Sequence, residues 1–403
     1  MKSRMRTFLR YGHVPNPDCA VLDIIRSPAF EEQRRRLSAA SIEQIHREAR
    51  AAAEAAFASL IATPGPIVVP LSGGLDSRFV LAMLLQAGRR NDVLAFTYGV
   101  PGTWDYEIPK TLAKRLKVEH TSVDLSSLSI SIDDLYYAYA TGGEWTELPL
   151  ALINRLWKRA FPDMPGASGY LGDILAGDQL RRPDLTADLA AASDNFNERW
   201  LLPFVQRRKG MGVPGLATCE LLPGHHVSLT DQLDIIIQHD GYIRRVLAPP
   251  ELDMHTPLRE PAWVSFMLSL PAEYRIGSIF YRQFLPNTFP IEFSFPTKKN
   301  KGFPLLFPPG TRDTMLYVQK LIDRSRKHLF GTPIPQRGSS YGDLMRIFEQ
   351  ASDSIPATAE RTFHSLRKPP AHSGAAAGRK ALTTFSLLLN VHFSKHESTH
   401  MIA

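Results

Sequence analysis

Short apolar runs alternate with longer amphipathic segments along the first third of the chain. Ser41-Ile-Glu-Gln44 is a capping-box pattern, and the strong helix formers that follow it, through Leu60, predict a long helix. An apolar run without polar interruption begins at Ile67 and predicts a buried strand. The next segment predicts a helix that ends at Gly88, since one face carries the apolar residues Phe79, Val80, Met83 and Leu84. The pattern then predicts a strand over Val93 to Tyr98, a helix over Asp105 to Leu116 and a strand over Val118 to Leu125.

This alternation predicts an α/β fold built on a doubly wound parallel sheet, with ligands bound at the carboxyl ends of the strands. From Asp133 onward the pattern is mostly helical, apart from a strand expected before Gly169. Two polar, proline-containing stretches, Pro335 to Ser340 and Lys368 to Gly374, predict exposed loops, and the last helix is expected over Arg379 to Val391. We therefore expect a largely helical C-terminal part.

Charge, apolar runs and cysteine number limit the partners and the compartment that we expect for this protein. The formal net charge is +7 and the pI about 9.3, but the basic residues are scattered among 40 acidic ones, so we expect no nucleic-acid partner. No apolar run approaches membrane-spanning length and the basic start lacks the apolar core of a signal peptide, which predicts a cytoplasmic protein without a membrane partner. Cys19 and Cys219 are too few for a disulfide framework and lack zinc-site spacing, so a reducing compartment is the default expectation.

The segment Leu71 to Ser77, which reads Leu-Ser-Gly-Gly-Leu-Asp-Ser, carries the strongest chemical signal. Gly73 and Gly74 let the backbone approach an anion closely, and the amides of the following helix terminus point at it. Ser72 and Ser77 can add hydrogen bonds, and Asp76 beside phosphates is explained by a divalent cation between them. The pattern predicts a pyrophosphate cradle; the alternative is an ordinary strand-turn-helix corner.

Ser72 to Ser77 matches, residue for residue, the loop of the PP-loop ATP pyrophosphatases, which cleave ATP between its α and β phosphates. This resemblance implies the adenine nucleotide α-hydrolase-like sheet, with ATP and Mg²⁺ as cofactors. Over roughly residues 60 to 310 the chain also resembles the synthetase half of the asparagine synthetase family, through landmarks in family order. They are Ser72 to Ser77, Asp105-Tyr-Glu107, Ser168-Gly-Tyr-Leu-Gly-Asp173-Ile-Leu-Ala-Gly177, and the run of Pro257-Leu, Phe266-Met-Leu-Ser-Leu-Pro271 and Lys298-Lys-Asn-Lys301-Gly-Phe303-Pro.

The resemblance implies roles for individual residues. Gly169 would belong to the nucleotide site, and Asp173 would hold magnesium together with Asp76. The family's acidic residue after that aspartate is Ile174 here, and its glutamate after Ser-Gly is Tyr170. Gly-Tyr-x-x-Asp-Ile is closer to the β-lactam synthetase branch, in which a tyrosine works with a glutamate to deprotonate an amine. Tyr170, or else Glu144 in Gly-Gly-Glu-Trp-Thr-Glu, would then assist the amine; the alternative for Tyr170 is packing against a helix.

A cation is needed where negative charge accumulates during adenylation and acyl transfer. The family's lysine stands two residues before the glycine of Gly-Phe, a position that Asn300 occupies in this chain. Lys299 and Lys301 flank it, and either is a candidate catalytic residue. The alternative is a solvated basic loop.

The resemblance also suggests the domain organisation. Residues 1–40 resemble the connector that ends a glutaminase domain, residues 41–310 form the PP-loop domain, and residues 311–403 form a helical extension with flexible loops. Lys2 stands where the family has its glutaminase cysteine. We expect no replacement by Cys19, because Asn-Pro-Asp-Cys offers neither a helix N-terminus nor a base. His225-His226 and His239-Asp240 are interpreted as loop residues, since neighbouring histidines do not share one ion as an i, i+4 pair does.

These features predict an ATP-dependent amide-forming ligase that adenylates a carboxylate, releases pyrophosphate, and then transfers ammonia or an amine with release of AMP. The expected partners are a small-molecule or peptide carboxylate and a nitrogen donor, either ammonia or an amine, for which a separate glutaminase is one source. One alternative is a PP-loop enzyme that adenylates a nucleobase, although the cysteine pairs or RNA-binding appendage usual in such enzymes are not visible. Another is a degenerate nucleotide-binding subunit without turnover.

Overall fold

The structure, a computed structural model, describes residues 7, 10, 11, 13–127, 148–201, 209–249 and 252–330. Glu144, both predicted C-terminal loops and the predicted helix at Arg379 to Val391 lie outside these ranges.

A five-stranded sheet forms the centre of the molecule, with the strand order β3-β2-β1-β4-β5. Every pairing is parallel, from Leu94 opposite Glu119 at one edge to Ala167 opposite His255 at the other. The strands are β1 (Ile67–Pro70), β2 (Val93–Gly99), β3 (Glu119–Asp124), β4 (Gly166–Ala167) and β5 (Met254–His255). The chain fills the sheet on one side of β1 and then on the other, so the predicted doubly wound α/β fold of the PP-loop ATP pyrophosphatase type is confirmed.

Helices cover the sheet and supply most of the remaining structure. The predicted long helix is present, and both hydrogen bonds of its capping box form between Ser41 and Gln44. In chain order the α-helices are α1 (Ala20–Arg26), α2 (Pro28–Ser38), α3 (Ile42–Ala62), α4 (Asp76–Gln86), α5 (Trp104–Leu116), α6 (Leu148–Ala160), α7 (Gly172–Leu175), α8 (Leu189–Trp200), α9 (Leu229–Leu233), α10 (Arg244–Leu247), α11 (Pro261–Ser269), α12 (Ala272–Arg275), α13 (Ile279–Thr288), α14 (Pro290–Phe293) and α15 (Pro309–Phe330). A π-helix, Asp234–Ile243, joins α9 to α10. The described portion of the C-terminal part is therefore helical, as predicted.

The apolar side chains of β1 and β2 explain why both faces of the sheet are covered. Ile67 and Val69 belong to the main core, whereas Val68 packs with Phe96 and Trp157 on the opposite face. Successive strand residues point to opposite faces, so an uninterrupted apolar run needs helices on both sides. This is the physical basis of the layered architecture.

The N-terminal helices are part of the main core. Phe30 of α2 is fully buried, and α1 and α2 pack against α11, as α3 does. One apolar cluster extends from Tyr11 to Leu305. The predicted domain boundaries at residues 40 and 310 stay predictions, since no separate core marks them within the described residues.

The two cysteines are paired with each other, contrary to the expectation from their number. Their Cα atoms lie 6.1 Å apart although 200 residues separate them in sequence. Cys19 is also the N-cap residue of α1, so the prediction that it lies away from a helix N-terminus is wrong. Sequence spacing cannot report a contact made by the packing of distant segments.

None of the described helices combines the length and apolarity required to cross a bilayer.

Candidate active site

The carboxyl end of β1 leads directly into the predicted pyrophosphate cradle, Ser72 to Ser77. Leu71 is still part of the sheet: its amide donates to the carbonyl of Phe96, and its own carbonyl accepts from the Thr97 hydroxyl. The turn is stabilised by its serines, because the Ser77 hydroxyl accepts from the Ser72 amide at 3.1 Å and the Ser72 hydroxyl accepts from the Gly74 amide at 3.2 Å. α4 begins at Asp76, so its amino terminus faces the turn.

The loop that follows β4 lies directly on this cradle. A Cβ at Gly169 would stand 2.5 Å from the backbone carbon of Asp76, and one at Gly172 would stand 2.5 Å from the Asp76 carboxylate. Only glycine permits an approach this close. Between the two glycines, Leu171 has a φ of 75°, an uncommon backbone conformation for a branched residue. The Gly169–Asp173 loop is thereby brought to the start of α4.

Asp76 and Asp173 form the acidic centre of the site. Burial raises the pKa of Asp76, and the nearby charge of Asp173 raises it further. The Tyr281 hydroxyl donates to Asp76 at 2.8 Å and opposes this shift, as does the positive charge of Lys299. Sequence analysis missed Tyr281, which lies on α13 more than 200 residues after the cradle.

Two carboxylates beside a glycine turn and a helix amino terminus are suited to magnesium, a hard cation that takes oxygen ligands and uses phosphate oxygens and water to complete its shell. Within the described residues no group of three or more His, Cys, Asp or Glu side chains could hold a metal by itself. The oxygen ligands of Asp76 and Asp173 therefore suit magnesium chemically only where other oxygen ligands complete the shell of the ion.

The three lysines of the Lys298–Lys301 loop have different surroundings. Lys298 pairs with Asp105 at 2.9 Å, and its amide donates to the Gly73 carbonyl at 2.7 Å. Lys299 pairs with Asp178, and the charges of Asp173 and Asp76 oppose the lowering of its pKa by burial.

Lys301 is exposed, and its charge acts on Asp313 of α15. Asn300, at the family's lysine position, is buried and bonded to the Pro304 carbonyl and to Arg312. Of the two candidates, the structure thus brings Lys299 to the acidic centre and leaves Lys301 outside it.

Tyr170 is buried in the same loop and has a carboxylate partner. Its hydroxyl donates to Asp240 at 2.7 Å, and burial followed by the charge of Asp240 raises the pKa of Tyr170 well above its ordinary value. Arg259 donates to the same carboxylate at 2.9 Å and also binds Asp18. Tyr170 therefore does more than pack against a helix, because it belongs to a chain of hydrogen bonds whose link to Asp240 is buried. The other candidate, Glu144, lies outside the described residues.

Asp240 and His239 lie on the π-helix, so their interpretation as loop residues is wrong; His225 and His226 do lie in a loop. π-Helices are rare in proteins, and those that do occur are often found at functional sites. The ring of His239 is buried against Trp200, and among the described residues its Nε2 has no hydrogen-bond partner. Burial lowers the pKa of His239, while the charges of Asp173 and Asp240 oppose that shift. No sequence pattern indicated this arrangement.

A buried arginine contacts the end of α7, the short helix that begins within the Gly169–Asp173 loop. Arg275 donates to the Leu175 carbonyl at 2.9 Å and pairs with Asp231 at 2.8 Å. A Cβ at Gly177 would also stand 2.5 Å from the Arg275 carbonyl oxygen, so the two segments are in close contact. The position of Asp173 thus depends on contacts made by a segment about 100 residues later in the chain.

Comparison with known proteins finds similarity over the part of the chain that carries the cradle. A protein-family model described as queuosine biosynthesis protein QueC matches residues 66–135. A 7-cyano-7-deazaguanine synthase of Archaeoglobus fulgidus is 38% identical over 110 residues.

This alignment covers 27% of the present chain and 44% of the relative, so the chain spans less than half the length of the protein it matches. Neither match is to an asparagine synthetase. The comparisons agree with a PP-loop, ATP-using enzyme and leave the resemblance to asparagine synthetase without further support.

Proposed function

We propose that this protein is an ATP-dependent enzyme that adenylates its substrate and releases pyrophosphate. The observation that carries the proposal is the convergence of the Ser72–Ser77 turn, the carboxylates of Asp76 and Asp173, and the ammonium of Lys299 at one end of the parallel sheet. The family similarity of residues 66–135 supports the same chemistry.

In the proposed reaction a substrate oxygen attacks the α-phosphorus of ATP. The bond from the α-phosphorus to the oxygen that bridges to the β-phosphate breaks, and pyrophosphate leaves with that oxygen. The amides of the turn and the hydroxyls of Ser72 and Ser77 would hold the departing pyrophosphate. Asp76 and Asp173 would hold magnesium, which would neutralise phosphate charge when bound. Lys299 would stabilise the negative charge that develops on the phosphates.

A nucleobase-like heterocycle is the substrate class that the comparisons support. The relative from Archaeoglobus fulgidus is named for a 7-deazaguanine that carries a cyano group, and the matching family is named for queuosine biosynthesis. We therefore place adenylation of a nucleobase-type substrate ahead of the asparagine synthetase reaction for this chain.

An amide-forming ligase acting on a carboxylate is the second candidate, and a specific contact favours it. The Tyr170 hydroxyl is bonded to Asp240, so a proton taken from an incoming amine by Tyr170 could pass to a carboxylate 2.7 Å away. In either reaction a nitrogen nucleophile would displace AMP from the adenylate. A small molecule and a nitrogen donor such as ammonia are thus the proposed partners.

The experiment has two stages, of which the first needs no knowledge of the substrate. Isothermal titration calorimetry should detect binding of α,β-methylene-ATP, in which the scissile bond is blocked, only when MgCl₂ is present. The variant Asp76→Asn should lose this binding, because it removes a carboxylate from the shared metal.

The second stage is exchange of labelled pyrophosphate into ATP with a panel of carboxylated heterocyclic bases, unmodified bases and amino acids. Exchange with bases alone would support the leading substrate class, and exchange with amino acids alone would support the second. Release of ADP and phosphate would contradict adenylation. Binding without exchange across a wide panel would favour a subunit that holds nucleotide without turnover.

A further inference from the structure

Arg78 immediately follows the pyrophosphate cradle and is the third residue of α4. Its side chain is fully buried. The guanidinium donates to the main-chain carbonyls of Glu292, Phe295 and Pro296, at 3.3, 3.1 and 2.6 Å respectively. It also lies 5.6 Å from the ring centroid of Phe293. Arg78 therefore binds one short stretch of main chain more than 200 residues away in sequence.

This burial is unusual because the hydrogen bonds that the guanidinium makes within the described residues go to carbonyl groups and not to a carboxylate. A guanidinium stays protonated near neutral pH, so the buried group is a cation. A buried cation without a counter-ion is costly. Its five fixed donors match several carbonyls at once, which a lysine cannot do.

The stretch held by Arg78 leads directly into the lysine loop. Pro296 precedes Thr297, and Thr297 pairs with Phe303 to close the loop at its base. Within the loop, the Lys298 amide donates to the Gly73 carbonyl, and Lys299 faces Asp178 and the acidic centre. The cradle and the lysine loop are thus joined twice, at Gly73 and through Arg78.

We propose that Arg78 is a positioning residue that fixes Lys299 relative to the pyrophosphate cradle. The inference rests on the proposed function, because it assigns Lys299 to the nucleotide phosphates. A main-chain segment held at three carbonyls cannot slide along α4. A displacement of about 1 Å at a reacting group has large effects on catalysis, so such an anchor has a direct functional consequence.

The test measures binding of α,β-methylene-ATP with MgCl₂ to three variants and to one control variant, which is described in the next paragraph. Lys299→Met should weaken binding roughly tenfold, the usual effect of losing one charge-assisted contact. Arg78→Lys keeps the positive charge but loses the planar guanidinium that binds several carbonyls at once. It should weaken binding by a similar factor. If both act through Lys299, the double variant Arg78→Lys, Lys299→Met should bind no more weakly than Lys299→Met alone.

Arg89 offers a control for the carbonyl contacts, because it also binds three main-chain carbonyls; unlike Arg78, it pairs in addition with a carboxylate, that of Asp92, at 2.7 Å. It lies just past the other end of α4 and donates to Ile61, Thr63 and Gly65, each at 2.7 Å. Arg89→Lys should lower the melting temperature in the same way as Arg78→Lys but leave nucleotide affinity unchanged. A purely structural role for Arg78 would make the two variants indistinguishable in binding.

The outcomes separate the inference from the proposed function. Absence of binding by the wild-type protein would overturn the proposed function, and the inference with it. Wild-type affinity in Arg78→Lys, or a loss that simply adds to that of Lys299→Met, would overturn the inference alone. Should Arg78→Lys fail to fold, Phe293→Leu replaces it in the same cycle, since it removes the ring beside the guanidinium and leaves Arg78 itself in place.

Discussion

Replacing Gly169 by alanine is the most direct test of how the two loops of the site are held together. The added Cβ would stand 2.5 Å from the backbone carbon of Asp76 and 2.7 Å from both the Asp76 Cβ and the Ser77 amide nitrogen. Ordinary van der Waals contact begins at 3.4 Å, so the Gly169–Asp173 loop must withdraw by about 0.9 Å. The neighbouring atoms are mainly backbone at the start of α4 and cannot move aside as a flexible side chain would.

A withdrawal of this size places Asp173 outside its productive position. We expect Gly169→Ala to lower pyrophosphate exchange about 100-fold, equivalent to about 2.7 kcal/mol in the activation barrier. We expect the free energy of unfolding to fall by only about 1–3 kcal/mol, the usual cost of overpacking. The φ of Gly169 is not in the left-handed region, so alanine adds no backbone strain there and the steric collision accounts for the expected loss.

The assay is pyrophosphate exchange with a substrate found in the panel, together with calorimetric binding of α,β-methylene-ATP. Gly212→Ala is the control, because a Cβ at Gly212 meets no atom within 4 Å. The control should match the wild type in both measurements. Exchange by Gly169→Ala within about threefold of the wild type would refute the close approach of the two loops.

Three further predictions follow from the same geometry. Tyr170→Phe should retain pyrophosphate exchange but slow transfer to the nitrogen donor roughly 100- to 10,000-fold, whereas Asp173→Asn should lose both half-reactions; equal effects on both steps would contradict the separation of roles. Reducing the Cys19–Cys219 disulfide with dithiothreitol should lower the free energy of unfolding by about 2–4 kcal/mol, and the double serine variant should not respond to the reagent. Arg275→Met leaves a buried carboxylate without its partner and should cost about 3–5 kcal/mol in chemical denaturation; a loss below about 1 kcal/mol would contradict the buried pair.

The cradle and the fold class could be predicted because their signals are local. The capping box at Ser41 and Gln44 acts across three residues, and the apolar run at Ile67 needs no distant partner to be recognised as a buried strand. The glycine turn after this strand is likewise contiguous in sequence. Backbone conformation is set largely within such short windows, so the sequence by itself determined the alternation of strands and helices and the position of the glycine turn between β1 and α4.

The identity of the lysine that faces the acidic centre depended on the tertiary structure. Lys299, Asn300 and Lys301 are neighbours, and a change of one residue in a loop turns a side chain from the site to the solvent. Only the tertiary packing of this loop, whose Lys298 amide donates to the Gly73 carbonyl, shows that Lys299 and not Lys301 lies near Asp76.

The same holds for contacts between distant segments. Asp240 lies 70 residues after its partner Tyr170, and Cys219 lies 200 residues after Cys19. No local pattern records such a separation, because these pairs meet only when the apolar faces of several helices have found one common core. The sequence determined which chemical groups are present and where the backbone turns, and tertiary packing decided which of those groups stand together.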